Sequence, residues 1–544
     1  MKKINKSSIL ITVVIGVVFV LFSFQSRFFE VAKQIEIYTT LFKELNMYYV
    51  HELNPAELTT QALKNTLKNL DPYTNYYNEQ DVEAAKIRRE GAYGGIGASI
   101  RYSDKETTIT AISEGYAADK AGLKPGDVIL KINNQVLKKL KREEISMLLL
   151  GVPKSAISLE VIRQGNRLNF DFKREKIEVN PVPFSQMINE DTGYIVLTKF
   201  NEKAASEVKK AFNNLKEKGM QKLIFDLRSN PGGLLGEAIN ISNFFLPKGK
   251  RIVSTKAKVK KWSNTYISRN SPLDLEIPIV VLINRRSASA SEIVAGALQD
   301  YDRAVILGAR SFGKGLVQKY RPLSYGTQLK VTISKYYTPS GRCIQELDYA
   351  NRDKNGIVSK FSDGEVHEFT TQNGRKVYDG GGIQPDLNIE STPITEATKA
   401  LLASHAIFNY ATKFVLKTSL LNIENFSFSS QNFKQFVRYL KEIDTTFVTK
   451  QERLFKTAYL ATENNRFVFK EYQQIKKKLQ LKKIKEISKN QRFLATKLEN
   501  EIIKRLYYDK GVYQHHLKND KGILNAARLL KDKKKYTQLL TPKK

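Results

Sequence analysis

One cysteine, one tryptophan and five histidines in 544 residues leave few side chains for redox or metal chemistry. Cys343, being alone, cannot close an intrachain disulfide, and a cysteine-based zinc site needs more than one thiolate. It sits among polar residues and reads as a bystander; no metal or organic cofactor is implied anywhere in the chain. Acid is scarce too: 55 Asp and Glu face 89 Lys and Arg, a net charge of +34. No P-loop, internal repeat or low-complexity block interrupts the chain. The five histidines are His51, His367, His405, His515 and His516. None follows a strand-end turn beside a candidate serine, which argues against a Ser-His-Asp triad, although triads form by geometry rather than order.

Apolar runs long enough for a membrane are also missing, with one exception at the start. Lys2, Lys3 and Lys6 precede mostly apolar residues 9–24, and Arg27 closes the run. That pattern fits a secretion signal or a short membrane anchor. No small-x-small site lies near Ser23 to Ser26, which favours an uncleaved anchor, and no cysteine follows to make a lipoprotein. The basic flank puts that end in the cytoplasm and the rest outside it. The expected location is the periplasm or an equivalent cell-envelope space, with anchorage to the inner membrane by residues 9–24. Export removes nucleic acid as a natural partner despite the charge. From residue 395 onward 32 Lys and Arg face 13 Asp and Glu, so much of the excess is local. Such lysine runs are solvated helix faces, or they meet anionic membranes and envelope polymers.

A chain of this length exceeds one core. The reading is α/β and multidomain: 1–28 signal or anchor, 29–92 helical, 93–175 a small strand-rich domain, 176–394 an α/β core, and 395–544 a basic helical domain. In the strand-rich part, Thr107 to Ile112 and Ile157 to Ile162 suit strands, and Lys138 to Leu150 an amphipathic helix. In the core, the apolar strands Leu223–Leu227 and Pro278–Ile283 alternate with helices, which demands a sheet covered on both faces. In the tail, Phe433, Phe436, Val437, Leu440 and Ile443 form a helical stripe, as do Leu494, Leu498, Ile502 and Leu506. Such stripes are core or partner-helix contacts, and the helical flanks leave room for a homo-oligomer.

Chemistry concentrates in three stretches. Ser289 lies where an apolar strand turns into the helix beginning near Glu292, beside free backbone N–H groups and a helix dipole. Lys314 sits between Gly313 and Gly315. To act as a base its amine must be neutral, a fall from about 10.4 to near 7 that costs ~4 kcal/mol and requires burial. Phe312, Leu316 and Val317 are the expected walls. Gln318 shares a face with Lys314 and is placed to orient the amine without adding charge. Asp226-Leu227-Arg228-Ser229-Asn230-Pro231-Gly232-Gly233 bends sharply after a strand. Gly232 or Gly233 would supply one oxyanion donor and the Ala290 N–H the other, while Asp226 and Arg228 hold the loop as a structural pair. Simple helix capping by the serines and an exposed loop lysine are the plainer readings of each stretch alone.

The segment from Gly94, Gly95, Ile96 and Gly97 through Gly122–Ile129 resembles a PDZ domain. In such domains a glycine loop presents N–H groups to a peptide's terminal carboxylate. More broadly, the ordered motifs LDPYTNY (70–76), YGGIG (93–97), GLKPGDVI (122–129), DLRSNPGG (226–233), SASASEI (287–293), FGKGLVQ (312–318), YYTPSGRCIQ (336–345) and GGGIQPD (380–386) resemble the carboxyl-terminal processing peptidases, or tail-specific proteases, over about residues 30–390. The resemblance implies a PDZ domain inserted before a crotonase-like core. It makes Ser289 the nucleophile, Lys314 the general base and Gln318 the orienting residue, acting on protein substrates through their C-termini. The alternative is a PDZ adaptor that binds tails without cutting, and the Ser-Lys-Gln set argues against it. The tail beyond 395 matches no motif and its role stays open.

Overall fold

A computed structural model describes residues 28–542, apart from 104–105, 354–355, 362–365, 390–391, 419–421, 444–446 and 463–467. The expected anchor at 9–24 lies outside the described residues. No described helix is long and apolar enough to cross a membrane. The chain divides into two compact units, 1–76 and 77–544. The described part of the first is helical over 28–48 and Pro55–Lys68. The second of these helices starts where the Asn54 side chain accepts the Glu57 N–H, with Pro55 supplying the fixed φ favoured in a first turn.

In the second unit an antiparallel sheet begins with edge strand β1 (Ala98–Tyr102), followed by Thr107–Ile112, Val128–Ile132, Ala156–Arg163 and Asn166–Lys173. Helix α1 (Arg142–Leu149) packs Ile145 and Leu149 into the core of this sheet. It is shorter than the expected Lys138–Leu150. Leu137–Lys139 forms a separate 3-10 turn, and α1 starts only where Glu144 accepts the Lys141 N–H at 2.6 Å.

The central sheet has β2 (Thr192–Val196), β3 (Lys222–Asp226), β4 (Ile279–Ile283) and, after helix α2 (Ala290–Asp300), β5 (Val305–Gly308), all parallel in that order. Phe184–Met187 adds antiparallel to β2, and Leu387–Asn388 parallel to β5. Every residue of β4 is buried, as a parallel strand covered on both faces requires. Phe225, Val281 and Ile306 point to one face, beneath α2 and the helices Ala204–Glu217 and Leu235–Asn243. A second, antiparallel sheet pairs β6 (Leu316–Pro322) with β7 (Gln328–Tyr337), then Arg251–Ala257 and Asn264–Ile267.

The opposite face of the central sheet is covered by the C-terminal tail. Both tail stripes enter one apolar cluster, with Phe436, Leu440, Leu494, Leu498 and Ile502 fully buried. Helix α3 (Gln491–Asn519) then leads into α4 (Lys521–Lys531). Ile523, Ala526, Leu529 and Leu530 of α4 pack on Ile224, Val280, Leu282, Val305 and Leu307. At about 1.5–3 kcal/mol per fully buried aliphatic side chain, this face contributes substantially to the core. The Tyr536 hydroxyl donates to Ile279 O at 3.0 Å and accepts from Ile279 N at 2.9 Å. α3 also reaches the first sheet: at a break carried by Tyr507 and Tyr508, the Tyr508 hydroxyl donates to Asp119 at 2.6 Å. The role left open by the sequence is thus partly structural.

Candidate active site

The serine turn is built at the ends of β3 and β4. Beyond β4, the Ser287 hydroxyl donates to Leu227 O at 2.8 Å, and the Ala288 N–H donates to Asn230 O at 3.0 Å. These bonds draw the Asn230-Pro231-Gly232-Gly233 loop against the start of α2. Ser289 is then held at φ 56°, ψ −114°, a conformation that costs a non-glycine residue of order 1–3 kcal/mol and persists only where its surroundings impose it. Ala290 opens α2, so its N–H has no acceptor within the helix.

The surroundings are dominated by Glu292, one turn into α2 and fully buried. Its Oε2 accepts the N–H of Ser289 at 2.7 Å and that of Lys314 at 3.0 Å. Its Oε1 accepts the Ser311 hydroxyl at 2.6 Å and the Gly313 N–H at 2.7 Å. Burial pushes the Glu292 carboxyl above its ordinary range, opposed by these four donors. One carboxylate oxygen therefore fixes the backbone of both the serine and the lysine. A second tie comes from the nearly inaccessible Tyr336 at the end of β7, whose hydroxyl lies 2.6 Å from Lys314 O and 3.1 Å from Ser289 O.

Lys314 is half-buried just before β6. Its glycine neighbours are required by contact: a Cβ on Gly313 would meet Glu346 Cβ at 2.6 Å, and one on Gly315 the Gln345 N at 2.8 Å. The expected apolar walls need correction. Leu316 is buried and Val317 packs on the core, but Phe312 is 45% exposed because the 311–315 loop turns that ring outward. Gln318 lies in β6, and its Nε2 donates to Thr332 Oγ1 on β7 at 3.2 Å.

Of the expected oxyanion donors, Gly232 lies against the serine turn: a Cβ there would approach Ala288 O at 2.6 Å and Ala290 N at 2.9 Å. Its own N–H is given to Asn230 Oδ1 at 2.8 Å. Gly233, at φ 152°, bridges to Phe200. Asp226 and Arg228 pair at 2.6 Å, as expected from the sequence, and Arg228 reaches on to Asp520 of the tail at 2.8 Å. Three of the five histidines are engaged elsewhere: His367 with Asp379, His515 with Ile423 O and His516 with Asn500. The glycine segment is more ordered than a free loop. Gly94 and Gly95 belong to a strand paired with Glu175–Glu178, and position 94 must be glycine there because a Cβ would sit 1.9 Å from Gly151 O. Ile96 is buried in the core of the first sheet, and Gly97, at φ 76°, makes the bend into β1.

Glu292, Tyr336 and Asn230 are the site residues that sequence reasoning missed. Glu292 falls inside the SASASEI stretch, where a carboxylate three residues after a helix-capping serine was the available signal.

Comparison with known proteins agrees with this architecture. Residues 191–350 match the model of peptidase family S41, residues 108–163 a PDZ domain, and residues 397–530 the model described as "Probable PDZ-protease, C-terminal helical domain". A "Probable CtpA-like serine protease" of Staphylococcus aureus strain MRSA252 is 34% identical over 309 residues, 56% of this chain and 61% of that protein. Its counterpart in Staphylococcus saprophyticus is 32% identical over 316 residues, 58% of this chain and 63% of that protein. The alignments thus span about three fifths of these relatives. Among solved structures, a photosystem II D1 C-terminal processing protease aligns at 25% identity and a TM-score of 0.36, covering 64% of this chain and 91% of that one.

Proposed function

We propose, from the matches of residues 191–350 to peptidase family S41, of 108–163 to a PDZ domain and of 397–530 to a PDZ-protease C-terminal helical domain, that the chain is a serine endopeptidase that cuts exported proteins near their C-termini. The observation that carries this reading is the shared Glu292 oxygen, which binds the amides of Ser289 and Lys314 together. In the proposed reaction the neutral Lys314 amine removes the Ser289 hydroxyl proton as the oxygen attacks the scissile carbonyl. The oxyanion is met by the Ala290 N–H and by the Gly232-Gly233 turn, where Gly233 is the preferred donor because Gly232 already serves Asn230. The lysinium then protonates the leaving amine. Lys314 next takes a proton from water, the hydroxide opens the acyl-enzyme, and Ser289 regains its proton. Gln318, fixed by Thr332, limits the directions open to the amine.

The core is read as crotonase-like, and the PDZ domain as the receptor for a substrate's C-terminal residues. The peptide would lie along edge strand β1 beside α1, with Gly97 and its neighbours at the carboxylate. The basic start and the apolar residues 9–24 support attachment to the inner membrane facing the periplasm, which fractionation of cells making the full chain checks. The central test is Ser289→Ala. Cleavage of an unfolded protein with an apolar C-terminus should fall to background while binding of that protein persists. Cleavage at the parent rate would remove Ser289 from the reaction.

A further inference from the structure

The second sheet carries no carboxylate. No Asp or Glu occurs between Glu237 and Asp274, nor between Asp302 and Glu346, and these two segments supply Arg251–Ala257, Asn264–Ile267, β6 and β7. On this surface Lys261, Lys319 and Arg321 converge on one half-buried ring, that of Trp262, at 5.9, 5.9 and 5.7 Å from its centroid. A fourth cation, Lys256, lies 4.5 Å from the Tyr337 ring. Among the described residues, none of these four makes an ion pair, whereas basic side chains elsewhere do, for example Lys131 with Glu160 and Lys222 with Asp191. Cations laid over aromatic faces are held in place without being neutralised. The result is an ordered, uncompensated positive surface.

Its position points to a ligand. Lys319 and Arg321 sit on β6, the strand that begins just after Lys314. Lys319 follows Lys314 by five residues, about 16 Å of extended chain. We propose that this face docks acidic stretches of the polypeptide substrate, with Trp262, Lys261, Lys319 and Arg321 as the contact. The assignment rests on the peptidase reading and adds to it a substrate class: proteins bearing Asp- or Glu-rich segments a few residues from the cut. The exposed cations steer such segments toward the cleft. The apolar body of Trp262 gives the peptide a surface to lie on.

Trp262 is the chain's sole tryptophan, so its fluorescence reports this surface alone. The full chain carrying Ser289→Ala, which prevents turnover, is titrated with a glutamate-rich peptide and with its glutamine counterpart. The acidic peptide should change the emission saturably. Its affinity should weaken about tenfold or more between about 50 and about 500 mM salt, as exposed charge pairs are screened. The glutamine peptide should give no response. Lys319→Gln with Arg321→Gln should weaken the acidic titration by a similar factor, and the milder single variants separately by less. An equal response to both peptides, or an acidic titration unchanged in every variant, would overturn the proposal. A response to polyphosphate or to anionic vesicles without one to the peptide would reassign the face and overturn it as well. Because the readout is binding, loss of the peptidase reading would show only in the cleavage assay.

Discussion

Replacing Glu292 by glutamine tests how the reactive pair is held. The carboxylate accepts four hydrogen bonds, two on each oxygen, from Ser289, Lys314, Ser311 and Gly313. Glutamine keeps one oxygen and puts an NH2 where the other stood, so two donors face a donor at a fully buried position. A hydrogen bond to a buried charge contributes about 1.5–3 kcal/mol, and an unmet buried donor costs a similar amount. Two such losses amount to ~3–6 kcal/mol. Part of this is relieved if the 311–315 loop moves away from α2, which separates Lys314 from Ser289. Since about 1.4 kcal/mol is a factor of ten in rate, kcat/KM for a peptide substrate should fall roughly 10²–10⁴-fold. Circular dichroism and thermal unfolding establish that the core survives the change. Glu292→Gln with kcat/KM within about threefold of the parent, on a fold of unchanged stability, would refute the argument.

Gly232→Ala introduces a Cβ at φ 94° that would lie 2.6 Å from Ala288 O. The loop must retreat from the serine turn, and kcat should drop about 10²-fold, read by steady-state kinetics; an unchanged kcat would show that the turn yields freely. Asp520 ties α4 to the sheet. Burial alone would push its carboxyl up, but the charge of Arg228 and the Ile523 N–H hold it below the usual carboxylate range. A carboxyl lowered in the folded state stabilises it above the unfolded value, about 3.9, and that contribution vanishes as pH falls through the lower folded value. Hydrogen exchange within 521–531 should therefore accelerate, relative to intrinsic rates, below about pH 4. Asp520→Asn should exchange faster at neutral pH and lose most of that dependence. Identical profiles for parent and variant would rule out this tie.

The Ser289 turn, the Lys314 loop and the Asp226–Arg228 pair were legible because each is written within a few residues. An apolar strand, a turn and a helix start occur in succession, a lysine lies between glycines, and an acid and a base stand two apart. Glu292 was in view but its role was not, since three of its four donors come from residues 19 to 22 positions further on. Phe312 was misplaced for a related reason: an apolar residue beside a functional loop does not reveal which way the loop turns. The glycines at 94 and 95 read as loop formers, whereas close approach to Gly151 is what excludes a side chain at Gly94.

By itself the sequence determined the order of strands and helices, the turn chemistry around Ser289 and the scarcity of carboxylates, because propensity, periodicity and charge are local properties. Only the tertiary structure decided that α4 covers the second face of the central sheet, that Arg228 meets Asp520 from 292 residues away, and that three cations gather on Trp262. Apolar burial has no direction of its own. An amphipathic helix such as α4 announces that it will be covered, but only the folded chain selects the surface it covers.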